Sequence, residues 1–136
     1  VVIAPSGWGK VARKNLLFAG LKQKVEVKVG AAADTLPQLV GDSRVPFDLI
    51  FIDADKGNYC NYFTWSLKLA KKGSLIIADN VVRDGGILDS AHADSRVQGI
   101  RKFNEVVADE KRVDATVIQT VGSKGYDGFA LIYVVS

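Results

Sequence analysis

The sequence predicts a single α/β domain, residues 1 to 136, with a mostly parallel sheet and an antiparallel hairpin at its C-terminal edge. Three observations carry this. Phe47-Asp48-Leu49-Ile50-Phe51-Ile52 is an apolar run that stops at Asp53-Ala54-Asp55-Lys56, and Ser74-Leu75-Ile76-Ile77-Ala78 repeats the design before Asp79-Asn80. Such runs read as strands buried on both faces, at home in the middle of a parallel sheet. Around them, apolar residues recur at helical spacing, so strands and helices alternate. Finally, 113–121 and 129–135 read as two strands joined by a glycine-rich segment, 122–128.

Taken in order, Val1-Val2-Ile3 is a short strand broken by Ala4-Pro5-Ser6. Trp8, Val11, Ala12, Leu16 and Ala19 then mark a helix, with Ser6 as its N-cap and Gly20 as its stop. Lys24 to Val29 alternates polar and apolar as a strand with one apolar face does. A short helix over 32–41 is expected to turn Leu36, Leu39 and Val40 inward, and 41–46 is a loop. After the central strand, Tyr59, Tyr62, Phe63, Leu67 and Ala70 give a helix closed by Gly73. Arg83 to Leu88 is turn-rich, and Val97, Ile100, Phe103, Val106 and Val107 give the last helix, capped by Asp94 or Ser95.

Composition sets limits on function. A chain of 136 residues, 48% hydrophobic and 24% charged, can bury one core. It holds no apolar run long enough for a membrane span and no secretion signal, so a cytoplasmic protein with no membrane partner is expected. Cys60, the single cysteine, suits a reducing compartment. The formal charge of +3 comes from lysines and arginines spread over several elements, without the clustering a nucleic-acid face needs. The start at Val1 implies that a preceding segment is missing or was removed.

In open parallel sheets, ligands bind beyond the carboxyl ends of the strands. Asp53, Asp55, Asp79 and Asn80 lie there. If the two strands are neighbours, about 4.8 Å apart, Asp53 and Asp79 can face one cation with Asn80 adding a carbonyl. An all-oxygen set suits Mg²⁺, Mn²⁺ or Ca²⁺ and not zinc. The alternative is that these residues only cap the helices that follow. Lys56 reads as a base, an anion anchor or an ordinary solvated lysine, and His92 as an exposed loop residue.

The same stretch carries a resemblance. Residues 46–62, PFDLIFIDADKGNYCNY, are similar to a segment of the cation-dependent O-methyltransferases, the family of catechol and caffeoyl-CoA O-methyltransferases. Val11 to Leu16 with Ala19-Gly20-Leu21, Gly30 to Leu39, Ala78-Asp79-Asn80-Val81, Phe103-Asn104 and Asp127-Gly128 follow in the family's order and spacing. The resemblance implies a Rossmann-like methyltransferase sheet and S-adenosylmethionine-dependent methylation of a catechol-like vicinal diphenol, a phenolic small molecule. By that similarity Asp53, Asp79 and Asn80 hold a divalent ion, usually Mg²⁺, and Lys56 is the base. Ala32, Asp53 and Asp55 match donor-binding positions, and Arg83 and Asp84 fall where acceptor choice is shaped.

This chain also departs from the pattern. The family's first strand and glycine-rich loop have no counterpart before Val1, and Ile3 falls where the family has the glutamate that grips the donor's ribose. In a second register, Val1-Val2-Ile3 is that first strand and Gly7-Trp8-Gly9 a remnant of the loop. Either way the sheet is expected to be completed by a preceding segment or by another copy, as a homo-oligomer with exchanged elements. A catalytically inactive binding or assembly module therefore stands as the alternative to an enzyme.

Overall fold

In the computed structural model, which describes residues 1–123 and 125–136, the chain forms two compact units, Val1–Asp42 and Ser43–Ser136. Lys124, in the predicted hairpin connection, lies outside the described residues. In the first unit a parallel pair, β1 (Val2–Ala4) and β2 (Val27–Val29), packs with α1 (Ser6–Phe18) and α2 (Ala32–Thr35). Helix α1 begins one residue earlier in logic than the sequence suggests. Pro5 is its N-cap, with no side-chain bond, and Ser6 is already helical. Its C-terminus is the expected one: the Gly20 amide bonds the Leu17 carbonyl at 3.1 Å and the Leu21 amide bonds Leu16 at 2.8 Å, the paired bonds of a Schellman stop.

The strand expected from Lys24 forms only over Val27–Val29. The amides of Lys24 and Val25 turn back to the Leu21 carbonyl, at 2.9 and 3.2 Å, and are lost to the ladder. The helix expected over 32–41 is α2 followed by a 3-10 turn, Leu36–Leu39. Pro37 has no amide proton to continue an α-helical ladder. Leu39 is buried but Val40 is 59% exposed, against the inward position expected for it.

The second unit is built on a four-stranded sheet in the order β3-β4-β6-β5, from β3 (Phe47–Ile52), β4 (Ala70–Asp79), β5 (Val113–Gly122) and β6 (Gly125–Val134). β3 and β4 run parallel, while β6 is antiparallel to both β4 and β5. The sheet is thus α/β with an antiparallel edge, as predicted. α3 (Tyr59–Leu69) and α4 (Ser95–Asp109) pack against each other, α3 on β3 and β4 and α4 on β5. Ile50, Ile76 and Ile132 share one cross-strand row, as do Ile52, Ala78 and Ala130. Tyr59 and Phe63 each lie edge to face against Phe103. Asp94 caps α4 as predicted, accepting the Arg96 amide at 2.8 Å.

Two expectations fail here. The apolar run of β3 predicts burial on both faces, yet the strand ends the four-stranded sheet and leaves Leu49 and Phe51 about 60% exposed. An apolar run records preference for burial, not which neighbours are present. Gly73 does not close α3, which ends at Leu69 with Ser66 and Leu69 inward rather than Leu67 and Ala70. With φ at 91° it lies inside β4, where Phe47 pairs with Ala70 but Leu49 with Leu75. The extra residues of β4 are taken up in a bulge whose left-handed backbone favours glycine.

Candidate functional site

Ile52 pairs with Ala78, so Asp53 and Asp79 follow each other's neighbours at the carboxyl ends of adjacent parallel strands. Lys56 opens the 3-10 turn Lys56–Asn58 and reaches over those ends. It is only 8% exposed. Its Nζ donates to the Tyr59 hydroxyl at 2.6 Å, to Asp53 Oδ1 at 3.2 Å and to the Asp79 carbonyl at 3.4 Å. Three acceptors thus lie within hydrogen-bond reach of this one nitrogen. The Tyr59 hydroxyl in turn donates to the Asp79 carbonyl at 2.9 Å. Burial pushes the Tyr59 phenol well above its usual range against a smaller lowering from the backbone at Ala54, and the Asp53 and Asp79 charges add to the rise. It is therefore a permanent neutral link between the amine and β4.

Asp55 is exposed, but its carboxylate is fixed: Oδ1 accepts the Tyr62 hydroxyl at 2.5 Å and Oδ2 the Asn58 amide. Burial, followed by the bond to Asp55, raises the Tyr62 phenol. Ala32, the other predicted donor contact, is the first residue of α2 in the first unit.

Beyond β4 the backbone is unusual. Asn80, Arg83 and Asp84 all take positive φ, at 59°, 56° and 53°. Non-glycine residues rarely do so, and such strain clusters at functional sites. Several bonds hold it. Asp127 Oδ1 accepts the amides of Val82 and Arg83, each at 3.0 Å, and that of Gly128 at 2.9 Å. The Asn104 side chain donates to the Val81 carbonyl at 3.2 Å, and Asp84 Oδ1 accepts the Tyr126 amide at 3.1 Å.

The donors at the strand ends are two carboxylates and one amide, Asp53, Asp79 and Asn80. Among the described residues there is no group of three or more His, Cys, Asp or Glu arranged to hold a metal. The oxygen set nevertheless fits a hard divalent cation, which fills its remaining positions with water or ligand oxygens. The Asn80 side chain makes no bond to the described residues, so its oxygen is available.

Sequence reasoning placed Lys56, Asp53, Asp55, Asp79 and Asn80 at the strand ends, and the structure gathers Lys56 with Asp53 and Asp79. By helical spacing Tyr59 and Tyr62 read only as core residues, and Asn58 has no role. Their signal was spacing: Tyr59 is three residues beyond Lys56, one turn away as the chain enters a helix. Asp127 and Asn104, quoted only as motif letters, pin the strained segment.

A buried amine joining two parallel strand ends, with carboxylates and a free amide around it, defines an α/β protein with an oxygen-donor site suited to acid–base chemistry on a small ligand. The O-methyltransferase family profile matches residues 6–133, and the chain belongs to that family. It is 52% identical over 124 residues to a catechol O-methyltransferase of Niastella koreensis, covering 91% of this chain and 56% of the relative. To a catechol O-methyltransferase of Mycobacterium tuberculosis it is 50% identical over 125 residues, covering 92% and 55%. Among solved structures it resembles an O-methyltransferase from Bacillus cereus in complex with SAH, with a TM-score of 0.92 and 51% identity over 97% of this chain and 60% of that one. The chain thus spans little more than half the length of the relatives it matches. Among the described residues no helix is long and apolar enough to cross a membrane.

Proposed function

We propose that this chain carries the metal and acceptor part of an S-adenosylmethionine-dependent O-methyltransferase acting on a vicinal diphenol. The observation that carries the reading is the Lys56 amine, buried where the Asp53 carboxylate and the Asp79 strand end meet. Asp53, Asp79 and Asn80 would hold Mg²⁺, with Mn²⁺ or Ca²⁺ as substitutes. Bound there, the cation supplies Lewis acidity, which makes a phenol brought to it easier to ionise. The donor supplies the methyl group, with Ala32, Asp53 and Asp55 as its contacts by resemblance.

The chain's own residues do the rest. As a general base Lys56 would act as the free amine, its Nζ lone pair taking the acceptor's proton at the strand ends. Tyr59 fixes that nitrogen from behind, so it does not have to be ordered when the acceptor arrives. Asn58 and Tyr62 hold Asp55 in one orientation. The family relationship and the relatives' printed names, catechol O-methyltransferase, support the acceptor class. The reading also includes a cytoplasmic setting and self-association, the latter checked by light scattering.

The test is transfer of a labelled methyl group from S-adenosylmethionine to 3,4-dihydroxybenzoate. A mono-O-methyl product that requires Mg²⁺ and disappears with EDTA is expected. Calorimetry showing that the donor does not bind while Mg²⁺ does would overturn the enzyme reading for this chain.

A further inference from the structure

Arg83 is the one feature at this end of the sheet that the proposed chemistry leaves unexplained. Its Nε is buried and has no hydrogen-bond partner, alone among the buried side-chain nitrogens and oxygens of the described residues. A buried donor left unmade costs about 1 to 3 kcal/mol, more for a charged group, so a native structure keeps one for a reason. Its backbone is held in place by Asp127, which accepts the Arg83 amide. The Arg83 backbone is thus tied to Asp127 while its Nε is left without a partner.

The nearby carboxylates make their bonds to other groups, Asp94 with both oxygens and Asp84 and Asp127 with Oδ1. Asp84 turns to the β5–β6 hairpin, accepting the Tyr126 amide. Asp94 has both oxygens on Arg96, at 2.7 to 3.1 Å. Asp127 Oδ1 takes three backbone amides. Arg83 makes no ion pair with any of them.

Arg83 and Asn80 line the same cavity, of about 450 Å³, together with Asp84, Thr120, Tyr126 and Asp127. A diphenol gripped at Asn80 would share this cavity with Arg83. A space of this size suits a one-ring ligand. Asp84 and Asp127 in the same wall disfavour a dianionic phosphate. A singly charged carboxylate, planar like the guanidinium fork, is the better match.

We propose that Arg83 is an anion anchor for the acceptor, binding a carboxylate on the catechol ring, so that the preferred substrate is an acidic rather than a neutral catechol. The proposal rests on the reading of Asp79 and Asn80 as the grip on the diphenol, and it gives Arg83 a specificity role rather than a part in the chemistry.

Two measurements separate the anchor from that reading. Calorimetry in Mg²⁺ compares 3,4-dihydroxybenzoate with its methyl ester, which has the same diphenol and no charge. The acid is expected to bind about tenfold tighter or better, roughly 1.4 kcal/mol, and Arg83→Gln is expected to bring the ratio to within about twofold of one. Equal binding of acid and ester, or a preference that survives Arg83→Gln, overturns the anchor. In parallel, the Arg83 Nε–H resonance is followed by NMR in the unmutated protein as benzoate, which has no diphenol, is added. A saturable shift supports the anchor even if neither catechol binds in Mg²⁺, a result that would fell only the diphenol reading. An unmoved resonance at saturating benzoate overturns the anchor whatever the catechols do.

Discussion

Two cations stand beyond the same strand ends and are treated oppositely. Lys56 is buried with its Nζ within hydrogen-bond reach of three protein acceptors, two on residues of the strand ends and one the hydroxyl of a tyrosine kept neutral by burial. Arg83 is held just as firmly through its backbone, yet its buried Nε points at nothing. A group that must act on a reacting atom has to be placed in advance, because disorder at that atom is lost rate. A group that must recognise something from outside has to be left incomplete, because a satisfied donor has nothing left to offer. On the roles proposed above, this contrast is what distinguishes a base from a recognition element, without reference to either one's charge.

The largest effect should come from removing the placed amine. Lys56→Met is expected to lower turnover by about 10² to 10⁴-fold, the range of general acid–base contributions, while acceptor affinity changes far less; steady-state kinetics would show the split. An equal loss in kcat and affinity would put Lys56 in binding and erase the contrast with Arg83.

Next is the support behind Lys56. Gly99 of α4 faces its backbone, and a Cβ there would lie 2.5 Å from the Lys56 carbonyl oxygen. Gly99→Ala should therefore cost about 1 to 3 kcal/mol through overpacking, read from the denaturant midpoint, and leave the Arg83 Nε–H resonance in place. Tyr59→Phe should be milder, about 1 to 2 kcal/mol for a lost buried hydroxyl. It should also move the pH profile of turnover, which a purely structural tyrosine would not do.

The smallest effect is a pH dependence at the start of α4. The Arg96 side chain and amide hold the Asp94 carboxyl down at about 2, from an ordinary 3.8. Arg112 does the same for Glu110, to about 2. A lowered folded value gives stability that is complete above the unfolded value and disappears as the pH falls through the folded one. Thermal unfolding between pH 6 and pH 2, on the order of that window, should show stability falling once the pH drops below the ordinary Glu110 value of 4.5, and Asp94→Asn should flatten part of the slope. Both pairs are exposed, so the change is small.

What the sequence made legible follows from how local each signal is. Helix α4 and its Asp94 cap depend on neighbours along the chain and are as read. The abrupt end of two apolar runs placed Asp53 and Asp79 correctly, since parallel strands align their carboxyl ends. The exposed sides of Leu49 and Phe51 were invisible, because an apolar run does not say what packs on it. Gly73 looked like a helix stop because a positive φ is equally useful in a strand bulge, and the choice depends on the partner strand. Tyr59 was hidden in a helical pattern that its ring obeys and only its hydroxyl exceeds. The fixed Asp127 and the unpartnered Arg83 depend on residues some 44 positions apart, a distance at which no local pattern reports.

The central claim, that Asp53, Asp79 and Asn80 gather one hard cation in front of a pre-placed Lys56, is tested most directly by Mn²⁺ titration read by electron paramagnetic resonance. Saturable binding that Mg²⁺ displaces is predicted, abolished by Asp79→Ala, weakened by Asn80→Ala and retained in Lys56→Met. Mn²⁺ binding untouched by Asp79→Ala, or no saturable binding at all, would contradict it.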